Sequence, residues 1–358
     1  MERDHTISGA QFFGMMFVSR VTITIALNAQ YAAGDSLLDA IPAYLLAMAV
    51  GFLLAAPVWM LQRQQPGLPV GEAAVRLLGQ LGKGIPLLYS LYFLVMCGVS
   101  LALFQLFLMD TVNPNFPAVF ILIALVAVAA YGAWRGLEAI ARTAACTLVL
   151  LLLGTALVFS LVVPRFDSEN LESLFAGGTR QLVQGAALFL SRTSLFAEMA
   201  VLLPFVKGRT LLGFSAWAGG TSLFVAVLVL LIAGCLGPYS YTQNFPVYAL
   251  ASITGSSSMQ RLDAVFTGMW MMGLIVQAAS GLYAIRICSA SLGKHRFRWV
   301  VFPAGALMVL LGWAIASSYQ WQTVFMDTDL WLLLTAAAGA GIPLLLLLVG
   351  RLKGKRRG

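Results

Sequence analysis

The sequence Phe189-Leu190-Ser191-Arg192-Thr193-Ser194 places a charged side chain in the middle of an apolar segment that is long enough to cross a membrane. A near copy, Phe17-Val18-Ser19-Arg20-Val21-Thr22, lies in the middle of the first apolar segment. The two arginines are 172 residues apart (192 − 20), which is close to half of the 358-residue chain. An arginine at the centre of a bilayer costs about 3 kcal/mol on insertion scales. Two such residues at matching positions therefore indicate a specific role in an internal repeat.

The composition is that of a polytopic membrane protein. Hydrophobic residues make up 60% of the chain and charged residues 10%, whereas soluble domains carry roughly 25% charged residues. The net charge of +8 comes from lysines and arginines scattered between apolar segments, so it does not indicate nucleic-acid binding. The four cysteines and two histidines show no metal-ligand spacing and no nucleophile–base set. We therefore expect no metal, no cofactor and no enzymatic activity.

Apolar segments of about 20 residues predict ten transmembrane helices. Their approximate limits are 7–31, 37–61, 84–109, 116–134, 139–163, 180–206, 210–236, 259–289, 299–317 and 329–350. With ten spans, both termini lie on one side, and 17 of the 22 lysines and arginines fall in segments on that side, against three on the other. The positive-inside rule therefore predicts cytoplasmic termini. It also favours a basic cytoplasmic tail over 351–358, held near anionic lipid.

Five spans separate the two arginine-containing stretches. Because this number is odd, the second half is inserted upside down relative to the first. The sequence therefore predicts one all-α transmembrane domain over 1–350, built as a five-plus-five inverted repeat of about 7–163 and 180–350. The first and sixth helices are predicted to be broken at the two stretches, with the ligand bound between them midway across the membrane.

The candidate site combines the two stretches with polar side chains of other spans. The predicted substrate-binding residues are Ser19, Arg20, Val21, Thr22, Leu190, Ser191, Arg192, Thr193, Ser194, Tyr92 and Gln277. The arginines have three open interpretations: they bind an anionic group such as an amino acid carboxylate, they form an internal ion pair, or they replace a coupling cation. Glu198 is predicted either to neutralise one of the arginines or to couple proton movement to transport.

The long outer loop from Gly237 to Ser258 is too apolar for a plain solvated loop. It is expected to fold back as a short helix over the outer mouth, the alternative being an interfacial loop without a gating role. At the other side of the membrane, Glu138 and Arg142 have the i, i+4 spacing of a local helical pair.

Four stretches along the chain resemble the B-subunit permeases of spore-germination nutrient receptors, which belong to the amino acid–polyamine–organocation superfamily. They are Ile7-Ser8-Gly9-Ala10-Gln11-Phe12-Phe13, Tyr131 to Arg142, Phe245-Pro246-Val247-Tyr248, and Arg261-Leu262-Asp263-Ala264 leading into Trp270. The resemblance runs from Ile7 to about Gly350. It implies the five-plus-five fold and a small-molecule site, usually for an amino acid, between the first and sixth helices.

The resemblance also implies a nutrient-sensing subunit that works with an A-type membrane subunit and a C-type lipoprotein, in the spore inner membrane or the cell membrane. The alternative is a secondary active transporter of amino acids or similar solutes, because both functions need the same pocket. One departure concerns the first-helix break. Many superfamily members carry glycines there, and here Arg20 fills the expected region.

Overall fold

A computed structural model describes residues 6–25, 36–111, 115, 117–253, 262–293 and 298–355. Within these residues, nine helical segments are long and apolar enough to cross a membrane, and a further apolar helix, Gly9–Ile25, is shorter. The prediction of an all-α polytopic membrane protein is confirmed. The count of ten spans stays a prediction, because residues 26–35 lie outside the described part of the chain.

The helices follow the predicted spans closely. In chain order they are α1 Gly9–Ile25, α2 Ala40–Gln64, α3 Val70–Leu78, α4 Gly84–Thr111, α5 Ala118–Arg135, α6 Leu137–Val162, α7 Gly178–Ser191, α8 Leu195–Leu202, α9 Thr210–Leu236, α10 Pro246–Ser252, α11 Leu262–Ala290, α12 Val301–Ser317, α13 Tyr319–Phe325, α14 Thr328–Ala336 and α15 Ile342–Lys355. A π-helical turn, Ala337–Gly341, joins α14 to α15. Helices dominate because the bilayer offers no water to satisfy the backbone, so each segment must satisfy its own N–H and C=O groups.

The first helix is not broken where the sequence predicted it. Helix α1 is continuous through Ser19–Thr22. The hydroxyls of Ser19, Thr22 and Thr24 each donate to the carbonyl four residues earlier, at 3.2, 2.8 and 2.9 Å. These bonds run along the helix and leave its backbone intact, so hydroxyl residues around an arginine are not sufficient to interrupt it.

The sixth predicted span is broken as expected. Helix α7 ends at Ser191, α8 begins at Leu195, and Arg192–Ser194 form the turn between them, outside both helices. The Ser191 hydroxyl donates to the Leu188 carbonyl at 2.8 Å, and the Thr193 hydroxyl accepts from the Leu195 amide at 3.4 Å. The Ser191 bond runs along α7, as the hydroxyl bonds of α1 do, whereas the Thr193 bond gives a backbone amide an alternative to the helix.

Helix α1 lies at the centre of the packing, against α6, α9 and α11. The broken pair α7–α8 packs on α2, α11, α14 and the π-helical turn, while α4 packs on α11 and α12. A short parallel pair of strands, β1 Ile7–Ser8 and β2 Val206–Lys207, joins the start of α1 to the segment after α8. The two arginine-containing stretches are thus buried in the middle of the protein.

The two long loops that the charge pattern predicts on the outer side are held to the spans by specific hydrogen bonds. Buried Asp39, just before α2, accepts from the backbone amides of Phe175 and Gly177. The Tyr241 hydroxyl accepts from the Leu37 amide at 2.7 Å and donates to Glu172 at 2.8 Å. The short helix expected in the second outer loop is confirmed as α10, which is largely buried. Its role as a lid stays a prediction.

Candidate functional site

The break between α7 and α8 exposes three consecutive carbonyls, those of Ser191–Thr193, and each faces a donor from a different helix. The first accepts from Thr335 Oγ1 of α14 at 3.5 Å. The second accepts from Arg20 Nη1 of α1 at 3.2 Å. The third accepts from the Tyr92 hydroxyl of α4 at 3.2 Å. Since a bare carbonyl inside a membrane protein is costly, these donors make the broken backbone tolerable and fix it to three neighbours.

Arg20 is the central contact of this arrangement. It is 3% exposed, and its Nε donates to the Tyr44 hydroxyl of α2 at 3.1 Å. The guanidinium carbon lies 5.0 Å from the centre of the Tyr44 ring and 5.8 Å from that of Phe189, within cation–π range. The guanidinium also lies at the C-terminal end of α7, where the helix dipole is negative. Its remaining nitrogen, Nη2, is buried without a partner among the described residues.

The Arg192 side chain contacts a segment that Arg20 does not bond to. Its Nη2 donates to the carbonyl of Met326, between α13 and α14, and its Nη1 is buried without a partner in the described part of the chain. The two arginines are therefore linked by a hydrogen bond from the side chain of Arg20 to the backbone carbonyl of Arg192. Each keeps one buried nitrogen free for a further acceptor.

Glu198 does not form the ion pair that the sequence allowed. Its Oε1 accepts from the Ser194 hydroxyl at 2.6 Å, within the first turns of α8. Its Oε2 is buried without a partner, and the described residues place no arginine or lysine nitrogen within 4 Å of it. An internal ion pair with Arg20 or Arg192 is thus not formed, and the anion-binding and fixed-cation interpretations remain. The expected surface pair of Glu138 and Arg142 is present.

Gln277 belongs to a neighbouring contact between α11 and α4. Its Nε2 donates to the Ser100 hydroxyl at 2.9 Å, and its Oε1 is buried without a partner among the described residues. Thr22 packs on the same helix against Gly273, so closely that a Cβ at Gly273 would lie 2.0 Å from the threonine Oγ1. The apolar members of the predicted set, Val21 and Leu190, are buried and contribute packing.

The structure adds two site residues that were not selected from the sequence, Tyr44 and Thr335. Tyr44 orients Arg20, while Thr335 lies 3.2 Å from the Tyr92 hydroxyl as well as next to the break. Both are polar-tipped residues within apolar spans, which is the signal that identified Tyr92. That signal is common in membrane helices, so only the contacts separate these two residues from others of the kind.

Comparisons with known proteins agree with this architecture. The family model Spore_permease, described as "Spore germination protein", matches residues 6–320. No curated protein matches the chain. Among solved structures, a substrate-bound, outward-open Na⁺-coupled sialic acid symporter aligns with a TM-score of 0.63 at 13% identity, over 93% of this chain and 79% of the symporter chain. This likeness shows a shared transporter fold. Because the family model covers most of the sequence, the resemblance predicted above is confirmed: the chain is an integral membrane protein that belongs to the Spore_permease family of spore germination proteins.

Proposed function

We propose that this permease-like protein is the nutrient-sensing subunit of a spore germination receptor and binds an amino acid, or a similar small anion-bearing solute, between α1 and the break of α7–α8. Ligand binding shifts a conformational equilibrium that partner subunits read. A ligand achieves this only if it binds the two conformations unequally. A site between helices of the two halves would bind the two conformations unequally, because movement of one half against the other changes the geometry of the site.

The observation that carries the proposal is the charge of Arg20, which no carboxylate neutralises among the described residues. Its guanidinium is buried, keeps Nη2 free, and has no carboxylate within 4 Å among the described residues. An unpaired buried charge is strongly unfavourable. The carboxylate of an amino acid would supply both the missing counter-charge and the missing acceptor.

The same geometry favours sensing over cation-coupled uptake. In transporters with broken helices, the C-terminal end of a half-helix and its unwound carbonyls hold the coupling cation. Here Arg20 lies at that end of α7 and occupies the Arg192 carbonyl. A permanent cation on the protein would replace the mobile ion.

The second candidate, proton-coupled transport, is favoured by one feature: Glu198 has a buried carboxylate oxygen without a partner in the described residues.

The wider assignments follow the family resemblance and the charge pattern. We propose an A-type membrane subunit and a C-type lipoprotein as partners, and a single domain built as an inverted repeat. Both termini are placed in the cytoplasm, and the protein in the spore inner membrane or the cell membrane.

A binding assay on the purified chain in lipid nanodiscs tests the site. Labelled amino acids are screened for binding to the wild type, Arg20→Gln and the matched control Arg180→Gln, which removes a charge from the exposed start of α7. A hydrogen bond to a charged group is worth about 1.5–3 kcal/mol, so Arg20→Gln is expected to weaken binding roughly 10- to 150-fold. Unchanged affinity in a well-folded Arg20→Gln protein would contradict the proposed site.

A flux assay separates sensing from transport. Counterflow of a bound amino acid is measured in proteoliposomes that contain this chain alone or with its partner subunits. Binding without flux in both preparations supports sensing. Flux that is lost in Glu198→Gln but kept in Glu169→Gln, which changes an exposed loop acid, supports proton-coupled transport instead.

A further inference from the structure

A long groove runs along one side of α1, between α6 and α9. Both helices pack on α1, but they contact each other at few positions, which leaves a space between them. The groove has a volume of about 910 Å³, at the upper end of the range of about 300–1,000 Å³ for small-molecule sites. Along α9 it runs from Leu212 to Val227, which at 1.5 Å per residue is about 22 Å. It is therefore long enough for a complete acyl chain within one leaflet.

The wall of the groove is apolar and rich in aromatic side chains. These are Phe13 and Phe17 of α1, Phe159 of α6, and Trp217 and Phe224 of α9. Leu152 and Leu223, at the two edges, are largely exposed. Large apolar side chains on the outer surface of a transmembrane segment face hydrocarbon, so the groove opens toward the lipid tails.

Two basic side chains mark one end of the groove. Lys207 and Arg209 line it there and are exposed, and no acidic residue is among the described residues that form its wall. The pairing of β1 with β2 brings Ser8 to the same end, beside Lys207. The charge pattern of the sequence places this end at the cytoplasmic surface, where anionic lipid attracts basic residues.

We propose that the groove binds one anionic phospholipid of the cytoplasmic leaflet, with an acyl chain along the aromatic wall and the phosphate at Lys207 and Arg209. The other occupant to consider is a transmembrane helix of a partner, since glycines such as Gly14 and Gly220 border the groove and small residues are common where membrane helices associate. The aromatic wall and the basic end favour a lipid, which matches both features at once.

The first experiment counts the lipid molecules retained by the full chain. The protein is purified in mild detergent, incubated with equal amounts of phosphatidylglycerol and phosphatidylcholine, and examined by native mass spectrometry. We expect one retained phosphatidylglycerol. Each basic residue near the membrane surface raises the affinity for an anionic lipid about fivefold. The affinity of Lys207→Gln/Arg209→Gln for phosphatidylglycerol should therefore be about 25-fold lower than that of the wild type. The charge-matched control Arg76→Gln/Lys83→Gln should retain the lipid as the wild type does.

A second pair of variants tests the groove without changing charge. A Cβ at Gly220 would lie 3.4 Å from the Phe17 ring, on the groove wall, whereas a Cβ at Gly219 has nothing within 4 Å. Gly220→Leu fills the groove and should abolish lipid retention, while Gly219→Leu should not. Brominated phosphatidylglycerol should quench the tryptophan fluorescence less in Trp217→Phe than in the wild type. Equal melting temperatures of the two leucine variants exclude a folding defect.

Two outcomes would overturn the proposal. The first is equal retention of both lipids in the wild type and in Gly220→Leu, which would mean that the groove is only part of the general lipid boundary. The second is that the wild type retains no lipid, while the A-type subunit is lost from the Gly220→Leu protein but not from the Gly219→Leu protein. That result would assign the groove to a helix of the partner.

Discussion

The contact between α1 and α11 makes one glycine much more sensitive to substitution than another in the same helix. At Gly273 an added Cβ would lie 2.0 Å from Thr22 Oγ1, whereas at Gly268 it would have nothing within 4 Å. Overpacking a close contact costs about 1–3 kcal/mol, and so severe an overlap belongs at the upper end. Replacing a helical glycine by alanine gains about 1 kcal/mol. Gly273→Ala is therefore expected to lose about 2 kcal/mol of stability, and Gly268→Ala to gain up to about 1 kcal/mol.

Unfolding of the two variants and the wild type in detergent micelles, followed by tryptophan fluorescence, measures the difference. Thr22→Ala provides a second test, because it removes the Oγ1 and leaves the threonine Cβ position 3.2 Å from the new methyl group. The double variant Thr22→Ala/Gly273→Ala should recover most of the lost stability. If Gly273→Ala is no less stable than Gly268→Ala, or if Thr22→Ala does not rescue it, α1 and α11 do not pack as described.

Two further predictions concern backbone groups held by single side chains. Tyr92→Phe leaves the Thr193 carbonyl without its donor and should lower the free energy of unfolding by about 1–3 kcal/mol. Tyr131→Phe, at an exposed position, should have no effect. Equal unfolding curves for the two variants would show that Tyr92 does not stabilise the break. Asp39→Asn replaces one of two acceptor oxygens by a donor, so proteolysis of the loop over 166–177 should become faster than in the wild type or in the exposed loop variant Glu169→Gln. An unchanged cleavage rate would show that the loop is held by other contacts.

The sequence was a good guide wherever a structural feature depends on local chemistry. The membrane class, the approximate limits of the spans and the short helix in the second outer loop all follow from runs of apolar residues, whose placement in the bilayer is set by their own hydrophobicity. The break at Arg192–Ser194 was also predicted, and there the hydroxyls of Ser191 and Thr193 bond to nearby backbone groups.

The same local reasoning failed at Ser19–Thr22, although the residue types are nearly the same. In α1 the hydroxyls donate along the helix and Arg20 reaches outward to Tyr44 and to the broken helix. Which of two similar stretches opens is decided by the neighbours that can accept or supply hydrogen bonds. A single sequence does not specify those neighbours.

The sequence by itself thus determined that the chain is a helical membrane protein with two buried arginines at matching positions, and it pointed to the family. Only the tertiary structure decided that Arg20 binds the backbone carbonyl of Arg192, that Glu198 bonds to Ser194 instead of neutralising either arginine, and that α6 and α9 leave a groove beside α1. The physical reason is distance along the chain. Hydrophobicity and helix formation act over a few turns, whereas these contacts join residues from different helices and depend on how all of the helices pack.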